Sequence, residues 1–436
     1  MTTTASTRRK GNADANKLGF ADRPIHDWYR FVLSFPPHLV RQYLDRFGVT
    51  DKQVVLDPFC GTATTLVECK KRGIPGVGIE AHPMAFFAAQ VKTDWAVDPE
   101  ELIAHARLVA EEARQELFLA GIQDDEDCSD RIASLRLLSL PPSAGALLLA
   151  SSISPLPLHK SLVLLALLQA RSASQCHKYE LLALARGLVT TIGNLHFGPE
   201  VGISPAKSDA PVISTWLAQV ESMARDLAQV SRHGQPWSQI LRADSRGLGN
   251  ILQGSSIDAV ITSPPYPNEK DYTRTTRLES VILGLIRTKQ ELKDLKHGLM
   301  RSNTRNVYRG DDDDVWVAHN RDIQGIAERI EARRIQLMKT SGFERLYPRV
   351  TKLYFGGMAR HLNTLKTALR PGARLAYVVG DQASYLQVMI RTGQILADIA
   401  KEQGYEVLGI DLFRTRLATA TKQQLREEVV LLRWNG

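Results

Sequence analysis

Several familiar features are absent from this sequence of 436 residues, and each absence excludes a class of protein. The 4 cysteines show no CxxC spacing and no companion histidine cluster, so neither a zinc site nor a disulfide framework is expected. The sequence contains no GxGxxG and no GxxxxGK[ST], which disfavours nicotinamide or flavin binding and nucleotide triphosphate hydrolysis. Metal chemistry is therefore not predicted.

Long apolar runs are also absent. The longest, near residues 161–170, is far shorter than the roughly 20 residues that a membrane-spanning helix requires. The first twenty residues are polar and do not resemble a signal peptide. We therefore expect a soluble protein without membrane contacts, cytoplasmic and nucleoid-associated in a bacterium or archaeon. The sequence leaves its oligomeric state open.

The composition is that of a folded protein, with 44% hydrophobic and 23% charged residues. The net charge of +8 suits a polyanionic partner, although charge alone is weak support for one. Strand-like runs alternate with helices in two blocks, which predicts an α/β protein with one largely parallel sheet. In the second block a helix over about residues 350–369 is expected to stop at the turn Arg370-Pro371-Gly372. Two strands, 406–412 and 427–434, are expected to close the sheet as an antiparallel hairpin. The predicted organisation is a disordered tail (1–20), the first half of the core (21–97), a helical insertion (98–236), a second core segment (237–271), a basic helical insertion (272–349) and the C-terminal half of the core (350–436). The basic insertion is a candidate for recognising a nucleic-acid target.

The first block contains a loop suited to a nucleotide-like cofactor. A buried strand, Val54–Asp57, runs into Asp57-Pro58-Phe59-Cys60-Gly61-Thr62-Ala63-Thr64 and then into a helix. Gly61 would let the backbone approach a ligand closely, and Thr62 and Thr64 would present polar groups at the helix start. The next strand ends in Glu80, which is placed to accept hydrogen bonds from ribose hydroxyls. A tight turn without a ligand is an equally good interpretation of this loop alone.

The second block contains the segment with the clearest chemistry. The strand Asp258–Thr262 runs into Ser263-Pro264-Pro265-Tyr266. Two prolines stiffen the loop and contribute carbonyls without competing N–H donors, which suits an incoming amino group. Tyr266 offers a face on which a planar base could stack. Taken alone, a proline-stiffened structural turn would be the better interpretation, but its pairing with the first loop favours the chemical one.

Together the two loops resemble those of DNA amino-methyltransferases. DPFCGTATTL is similar to that family's cofactor loop DPFxGxGT, and TSPPY to its catalytic loop [DNS]PP[YFW]. Residues 26–44, with Phe35 and Pro36, resemble the segment beside the methionine end of the cofactor, and Asp244 resembles the acid that meets the adenine amino group. Ala63 departs from the family, which usually has glycine there, so somewhat weaker cofactor binding is expected.

The resemblance implies a Rossmann-like class I S-adenosylmethionine methyltransferase sheet with two mainly helical insertions. It implies cofactor contacts from Phe35, Pro36, Asp57, Phe59, Cys60, Gly61, Thr62, Thr64, Glu80 and Asp244. It implies catalysis by Ser263, Pro264, Pro265 and Tyr266 on a base flipped out of double-stranded DNA. Because family members with SPPY more often modify cytosine, Ser263 favours cytosine N4 as the methylated atom. Methylation at cytosine C5 is set aside, because that family's nucleophilic cysteine follows a proline and no Pro-Cys dipeptide is present.

Alternatives remain open at this stage. They are adenine-N6 methylation of DNA, methylation of an RNA base, and a nucleic-acid-binding module that has kept a degenerate methyltransferase fold. A cognate restriction endonuclease is a further partner that the family suggests.

Some single residues need their own interpretation. Arg301, Asn303 and Arg305 are predicted to contact DNA phosphates or base edges. His196 and His361 are predicted to be structural. The acidic run Asp311–Asp314 lacks the ligand spacing of a calcium loop and is predicted to form a solvated turn.

Overall fold

The computed structural model describes residues 17–30, 34–197, 201–230, 235–268, 270–417 and 423–436. Its strands are β1 (Val55–Asp57), β2 (Gly76–Ile79), β3 (Leu195–Phe197), β4 (Val201–Ile203), β5 (Ser238–Leu241), β6 (Ile257–Thr262), β7 (Leu369–Gly380), β8 (Glu406–Leu417) and β9 (Gln424–Arg433). Of the predicted tail, residues 1–16 lie outside the described residues, and Phe20–Asp22 forms a 3-10 turn.

The helices are α1 (Pro37–Phe47), α2 (Thr64–Lys71), α3 (Pro83–Thr93), α4 (Pro99–Leu119), α5 (Pro142–Gly145), α6 (Pro155–Ala170), α7 (His177–Gly187), α8 (Ile213–Val230), α9 (Tyr272–Thr275), α10 (Arg277–Ile282), α11 (Lys289–His297), α12 (Arg321–Gln336), α13 (Gly342–Leu365) and α14 (Thr392–Glu402). Many begin at a recognisable cap. Asp98 accepts from the backbone N–H groups of Glu100 and Glu101 at the start of α4. In the described part of the chain, no helix has the length and apolar character needed to cross a bilayer.

Seven strands form one sheet in the order β5-β2-β1-β6-β7-β9-β8. The first five are parallel, and β9 runs antiparallel to both β7 and β8. The predicted Rossmann-like α/β sheet and its closing antiparallel hairpin are therefore confirmed. The chain moves outward from β1 to β2 and returns to β6 on the other side of β1. Ligands of open α/β sheets bind at such a reversal, beyond the carboxyl ends of the strands.

Alternating side chains divide the core into two layers around the sheet. On β7, Leu375 and Tyr377 pack with α13 and α14, whereas Ala376 and Val378 pack with α1. A third cluster joins α3, α4, α6, α7 and α8 in a mainly helical body. Part of the second predicted insertion also enters the core of the sheet, since Met300 and Ile323 belong to the layer that contains α13.

Two predicted boundaries are wrong for identifiable reasons. The helix expected over residues 350–369 starts at Gly342, because Ser341 caps it, and it contains Pro348. It also ends before the Arg370–Gly372 turn, at Leu365. That turn instead lies inside β7, where pairing with β6 shifts from Ile257–Leu369 to Ala259–Arg374. The extra residues of β7 form a bulge, in which Gly372 has φ 87°.

Candidate active site

A buried acid, Asp57, stabilises the loop after β1 through hydrogen bonds. Asp57 Oδ1 accepts a hydrogen bond from Thr262 Oγ1 at 2.6 Å and from the Phe59 backbone N–H at 3.2 Å. Burial raises the pKa of the Asp57 carboxyl to about 6, although the hydrogen bonds oppose this shift. Because Thr262 ends β6, the same carboxyl ties the two predicted loops together. Asp57 therefore supports the site from beneath.

Glu80 joins the end of β2 to this loop. Its Oε2 accepts from the Gly61 backbone N–H at 2.8 Å, and its Oε1 accepts from the His82 N–H at 2.7 Å. Burial raises the pKa of Glu80 to about 7, with the two N–H groups acting in the opposite direction. The carboxyl thus holds the backbone of the loop at its glycine.

Backbone conformation explains the residue types in the loop. Gly61 has φ 52° and Ala63 has φ 66°, so both occupy the left-handed region. Ala63 is fully buried and its cluster contains Cys60, Leu66 and Ala89, so its methyl group points into the core. The structure thus gives no support to the expectation that this methyl holds the cofactor away from the loop.

Asp244 follows β5 and is paired with an arginine. Arg246 donates to the Asp244 carboxylate through Nε and Nη2, and through Nη1 to Asp313 at 2.5 Å. The Asp244 side chain is 35% exposed, whereas that of Asp313 is only 3% exposed. The carboxylate of Asp244 therefore keeps an accessible side beside the cavity described below.

The prediction of a solvated turn at Asp311–Asp314 is wrong for Asp313, which is buried, and for Asp311, whose side chain is 8% exposed. Asp313 pairs with Arg246 and Arg360, and Asp311 pairs with Arg301. The two partners of Asp313 are 67 and 47 residues away in the sequence, and Arg301 reaches Asp311 across a turn of the chain, so charge spacing alone does not reveal these pairs. Among the described residues no group of His, Cys, Asp and Glu side chains is arranged to hold a metal ion.

The loop after β6 presents an acceptor. Ser263 Oγ donates its hydrogen to the Val378 carbonyl at 3.1 Å. A hydroxyl that donates in this way keeps its lone pairs for another donor. Tyr266 is half-buried and its ring lies against Gly380, where a Cβ atom would come within 2.9 Å of Cε2. A residue larger than glycine at position 380 would displace the tyrosine ring.

One cavity of about 740 Å³ connects these elements. That volume lies within the range of about 300–1,000 Å³ typical of ligand sites. The predicted residues in its wall are Phe35, Phe59, Cys60, Gly61, Thr62, Thr64, Glu80, Asp244, Ser263, Pro264, Pro265 and Tyr266. Asp57 lies beneath the wall, and Pro36 is outside it as the N-cap residue of α1. The structure therefore brings both loops and both acids to one space.

The segment before α1 reaches the cavity from an anchored position. Trp28 Nε1 donates to Asp226 Oδ2 at 2.8 Å, and Tyr29 OH donates to Glu279 Oε1 at 2.5 Å. Residues 31–33 lie outside the described residues, and Ser34 and Phe35 then line the cavity. Partners from α8 and α10 thus help to position the wall that Phe35 provides.

Sequence reasoning missed the far wall of the cavity. Arg414 on β8 donates to Glu427 on β9 through Nε at 2.6 Å and through Nη2 at 2.8 Å. Both residues line the cavity, and Glu427 also lies close to Gly380 beside the Tyr266 ring. The sequence offers one signal for this pair, which is that the acidic residue Glu427 lies in the apolar last strand. A buried charge needs a partner, so a cation on a neighbouring element could have been expected.

The predicted nucleic-acid contacts separate into two groups. Arg301 is 3% exposed and donates to Asp311 and to the carbonyls of Lys296, Leu299 and His297. Asn303 is also buried, and it caps a 3-10 turn. These two side chains serve the fold and do not reach the surface, which contradicts that prediction for them. Arg305 is exposed, so the prediction of a DNA contact remains for that residue.

His361 has the structural role predicted for it. It is fully buried, with Nδ1 at 2.8 Å from the Ser245 carbonyl and Nε2 at 2.7 Å from Tyr377 OH. Burial lowers the pKa of its imidazole to about 4, so the ring is neutral at pH 7. His196 is exposed on β3 and is not among the residues of the cavity wall.

Comparison with known proteins adds an independent result. No family model matches this sequence. The Type II methyltransferase M.BsoBI of Geobacillus stearothermophilus is 22% identical over 98% of this chain and 86% of its own length. This chain is similar to Type II methyltransferases. M.AvaI of Nostoc sp. is 22% identical over 96% of this chain and 86% of its own length. The similarity supports a methyltransferase, with the modified base left open.

Two further matches are less extensive. The Type II methyltransferase M.MjaII of Methanocaldococcus jannaschii is 39% identical over 16% of this chain and 13% of its own length. Among solved structures, TrmN from Thermus thermophilus aligns with a TM-score of 0.32 at 11% identity. That alignment covers 94% of this chain and 52%, about half, of the TrmN chain.

Proposed function

We propose that this protein methylates the exocyclic amino group of a base flipped out of DNA, that cytosine N4 is the target atom, and that S-adenosylmethionine is the methyl donor. The observation that carries the proposal is the shared cavity of about 740 Å³, in which the acids Glu80 and Asp244 line one region and Ser263-Pro264-Pro265-Tyr266 another. Near full-length similarity to Type II methyltransferases supports the reaction class and DNA as the substrate.

The residues present suit this cofactor. Glu80 would accept hydrogen bonds from the ribose hydroxyls, and the accessible side of Asp244 would accept from the adenine amino group. Phe35 and the loop around Gly61 would enclose the rest of the cofactor. When bound, the cofactor supplies a methyl group on a positively charged sulfur, which needs only a nitrogen lone pair aligned with it.

The chain's own residues would prepare that nitrogen. An exocyclic amine shares its lone pair with the ring and is a poor nucleophile. Ser263 Oγ and the Pro264 carbonyl would accept its two N–H bonds, which favours a tetrahedral nitrogen with its lone pair available. Tyr266 would stack on the extruded base, which offsets part of the few kcal/mol that flipping requires.

The far wall supports cytosine as the target. Arg414 is held by Glu427 through Nε and Nη2, and its Nη1 has no partner among the described residues. Cytosine presents two acceptors, N3 and O2, beside its amino group, whereas adenine presents one acceptor and a C–H. A hydrogen-bond donor on this wall would therefore favour cytosine.

The test is to incubate the protein with labelled S-adenosylmethionine and unmethylated bacterial DNA, and then to identify methylated nucleosides by mass spectrometry. N4-methylcytosine is the expected product. N6-methyladenine would keep the reaction and overturn the choice of base. Label found only in RNA would mean that the substrate is RNA and not DNA. Cofactor binding without any methyl transfer would mean that the protein is a nucleic-acid-binding module and not an enzyme. The Type II class of the relatives also supports a partner restriction endonuclease of the same sequence specificity.

A further inference from the structure

The turn between α12 and α13 exposes four large apolar side chains. Ile335 is 62% exposed, Leu337 38%, Met338 85% and Phe343 53%. We name residues 335–343 the α12–α13 tip. Met338 also has φ 52°, a left-handed conformation that is unfavourable for a residue other than glycine. An exposed and strained apolar turn adds nothing evident to the stability of the fold, and such features tend to accompany binding.

Cations surround this tip. The Arg305 guanidinium lies over the Phe343 ring at 5.9 Å from its centroid, and Arg345 is exposed on the first turns of α13. Neither arginine makes an ion pair with a described residue. The acids beside the tip, Glu331 and Glu344, are paired with Arg334 and Lys339. The surface therefore combines apolar side chains with an excess of positive charge, which suits a polyanion with an apolar interior. Two copies of this chain meeting through the tip would bring these arginines together and repel.

The tip also adjoins the cavity. Arg305 is followed by Asn306, which lines the cavity wall. Tyr347, one turn beyond Phe343 on α13, stacks on Tyr385 at 4.8 Å. Tyr385 donates its hydroxyl to the carbonyl of Ser302 at 2.9 Å, and Ser302 is another residue of the wall. The start of α13 is therefore connected to the wall of the cavity by direct contacts on two sides.

We infer that the α12–α13 tip inserts into duplex DNA next to the target base. This inference rests on the proposed function and deepens it. Extruding a base leaves a gap in the stack, and apolar side chains inserted between base steps stabilise such distortion. Met338 and Phe343 supply the inserted groups, while Arg305 and Arg345 contact the flanking phosphates. Among the segments predicted as insertions, the basic one thus contacts the duplex through its apolar tip.

The experiment compares three variants with the wild-type protein. They are the double variant M338S/F343S, the variant R305A, and the control F118S, which replaces an aromatic residue that is 68% exposed on α4. Binding to a labelled unmethylated duplex and to one of its strands is measured by fluorescence anisotropy at several salt concentrations. Calorimetry with S-adenosylmethionine shows whether each variant keeps the cofactor site, and sedimentation shows its oligomeric state.

We expect M338S/F343S to bind the duplex about tenfold more weakly, since a stacking contact is worth about 1–3 kcal/mol, with little change for the single strand. For this variant, the slope of the logarithm of the binding constant against the logarithm of the salt concentration stays the same. For R305A the slope falls by about 0.9, the value for one phosphate contact. F118S behaves as wild type.

Two results would overturn the inference. One is a double variant that binds and methylates duplex DNA like the wild-type protein while its cofactor site is intact. The other is a wild-type dimer that the double variant dissociates, which would make the tip an interface between copies. If the wild-type protein transferred no methyl group to DNA, the proposed function itself would be wrong. Failure of the proposed function is therefore distinguishable from failure of the inference about the tip.

Discussion

Ser263 donates its hydroxyl hydrogen to the Val378 carbonyl, which fixes the direction in which its oxygen can accept. We predict that Ser263→Ala lowers kcat for methyl transfer on the order of a hundredfold, a loss typical of removing one oriented group at a reacting centre. The dissociation constant for S-adenosylmethionine, measured by calorimetry, stays near the wild-type value. Ser263→Asn can both donate to Val378 and accept from the substrate, so it retains more activity than alanine. Equal kcat values for the alanine variant and the wild type would contradict the role of this oxygen.

Cofactor affinity should depend on pH through Glu80. Only the ionised carboxylate accepts hydrogen bonds on both oxygens, and burial raises the pKa of Glu80 to about 7 in the free protein. Above pH 7 the binding form predominates, and below it the affinity falls by up to about tenfold per pH unit. Calorimetric titration with S-adenosylmethionine between pH 8 and 6.5 measures this, and the pKa of Asp57, raised to about 6, has little influence there.

Glu80→Gln is the control for that dependence. The amide cannot ionise, and its NH₂ group would face the Gly61 or the His82 N–H. We expect weaker binding at pH 8 and a nearly flat profile down to pH 6.5. A variant with the same slope as the wild type would show that another group titrates.

Local signals predicted the elements that position the site. The apolar run before Asp57 and the run before Ser263 became the buried strands β1 and β6, because short β-branched and apolar stretches between polar loops are typical of parallel strands. Carboxyl ends of adjacent parallel strands share one sheet edge, so the pairing of β1 with β6 requires the two loops to meet. They do so around one cavity.

Long-range pairings could not be predicted in the same way. Arg414 reaches Glu427 only because the β8–β9 register places them opposite each other. Arg301 was interpreted as a DNA contact because it lies in a polar stretch, but Asp311 across a turn takes its guanidinium into the interior. A signal for the start of α13 is present in the sequence, since Ser341 and Glu344 have capping-box spacing, and the helix continues through Pro348.

Ala63→Gly tests whether the departure from the family's loop matters for the cofactor. The substitution relieves a left-handed alanine, by about 1 kcal/mol, and removes a buried methyl group worth about 0.8 kcal/mol. We expect the free energy of unfolding to change by less than about 1 kcal/mol and cofactor affinity to stay unchanged, because the methyl group packs against Leu66 and Ala89. Gly61→Ala is the comparison, since a Cβ there meets no atom within 4 Å at the cavity wall and would enter the cofactor's space. A several-fold gain in cofactor affinity for Ala63→Gly would instead support the expectation from the sequence that alanine at this position weakens cofactor binding.

Arg414 provides the most specific test of the target base. Arg414→Met removes the donor from the far wall, and losing a hydrogen bond from a charged group costs about 1.5–3 kcal/mol, or roughly ten- to hundredfold in kcat/KM for cytosine. Glu427 would then keep only its longer ion pair with Arg416 at 3.6 Å, so the double variant R414M/E427Q separates loss of recognition from loss of stability. Arg433→Met is the matched control, because Arg433 pairs with Glu406 on the same hairpin but is not part of the cavity wall. The product ratio of N4-methylcytosine to N6-methyladenine, measured by nucleoside mass spectrometry, should fall for both Arg414 variants and stay constant for Arg433→Met. A ratio unaffected by the loss of Arg414 would mean that the loop after β6 selects the base without the hairpin.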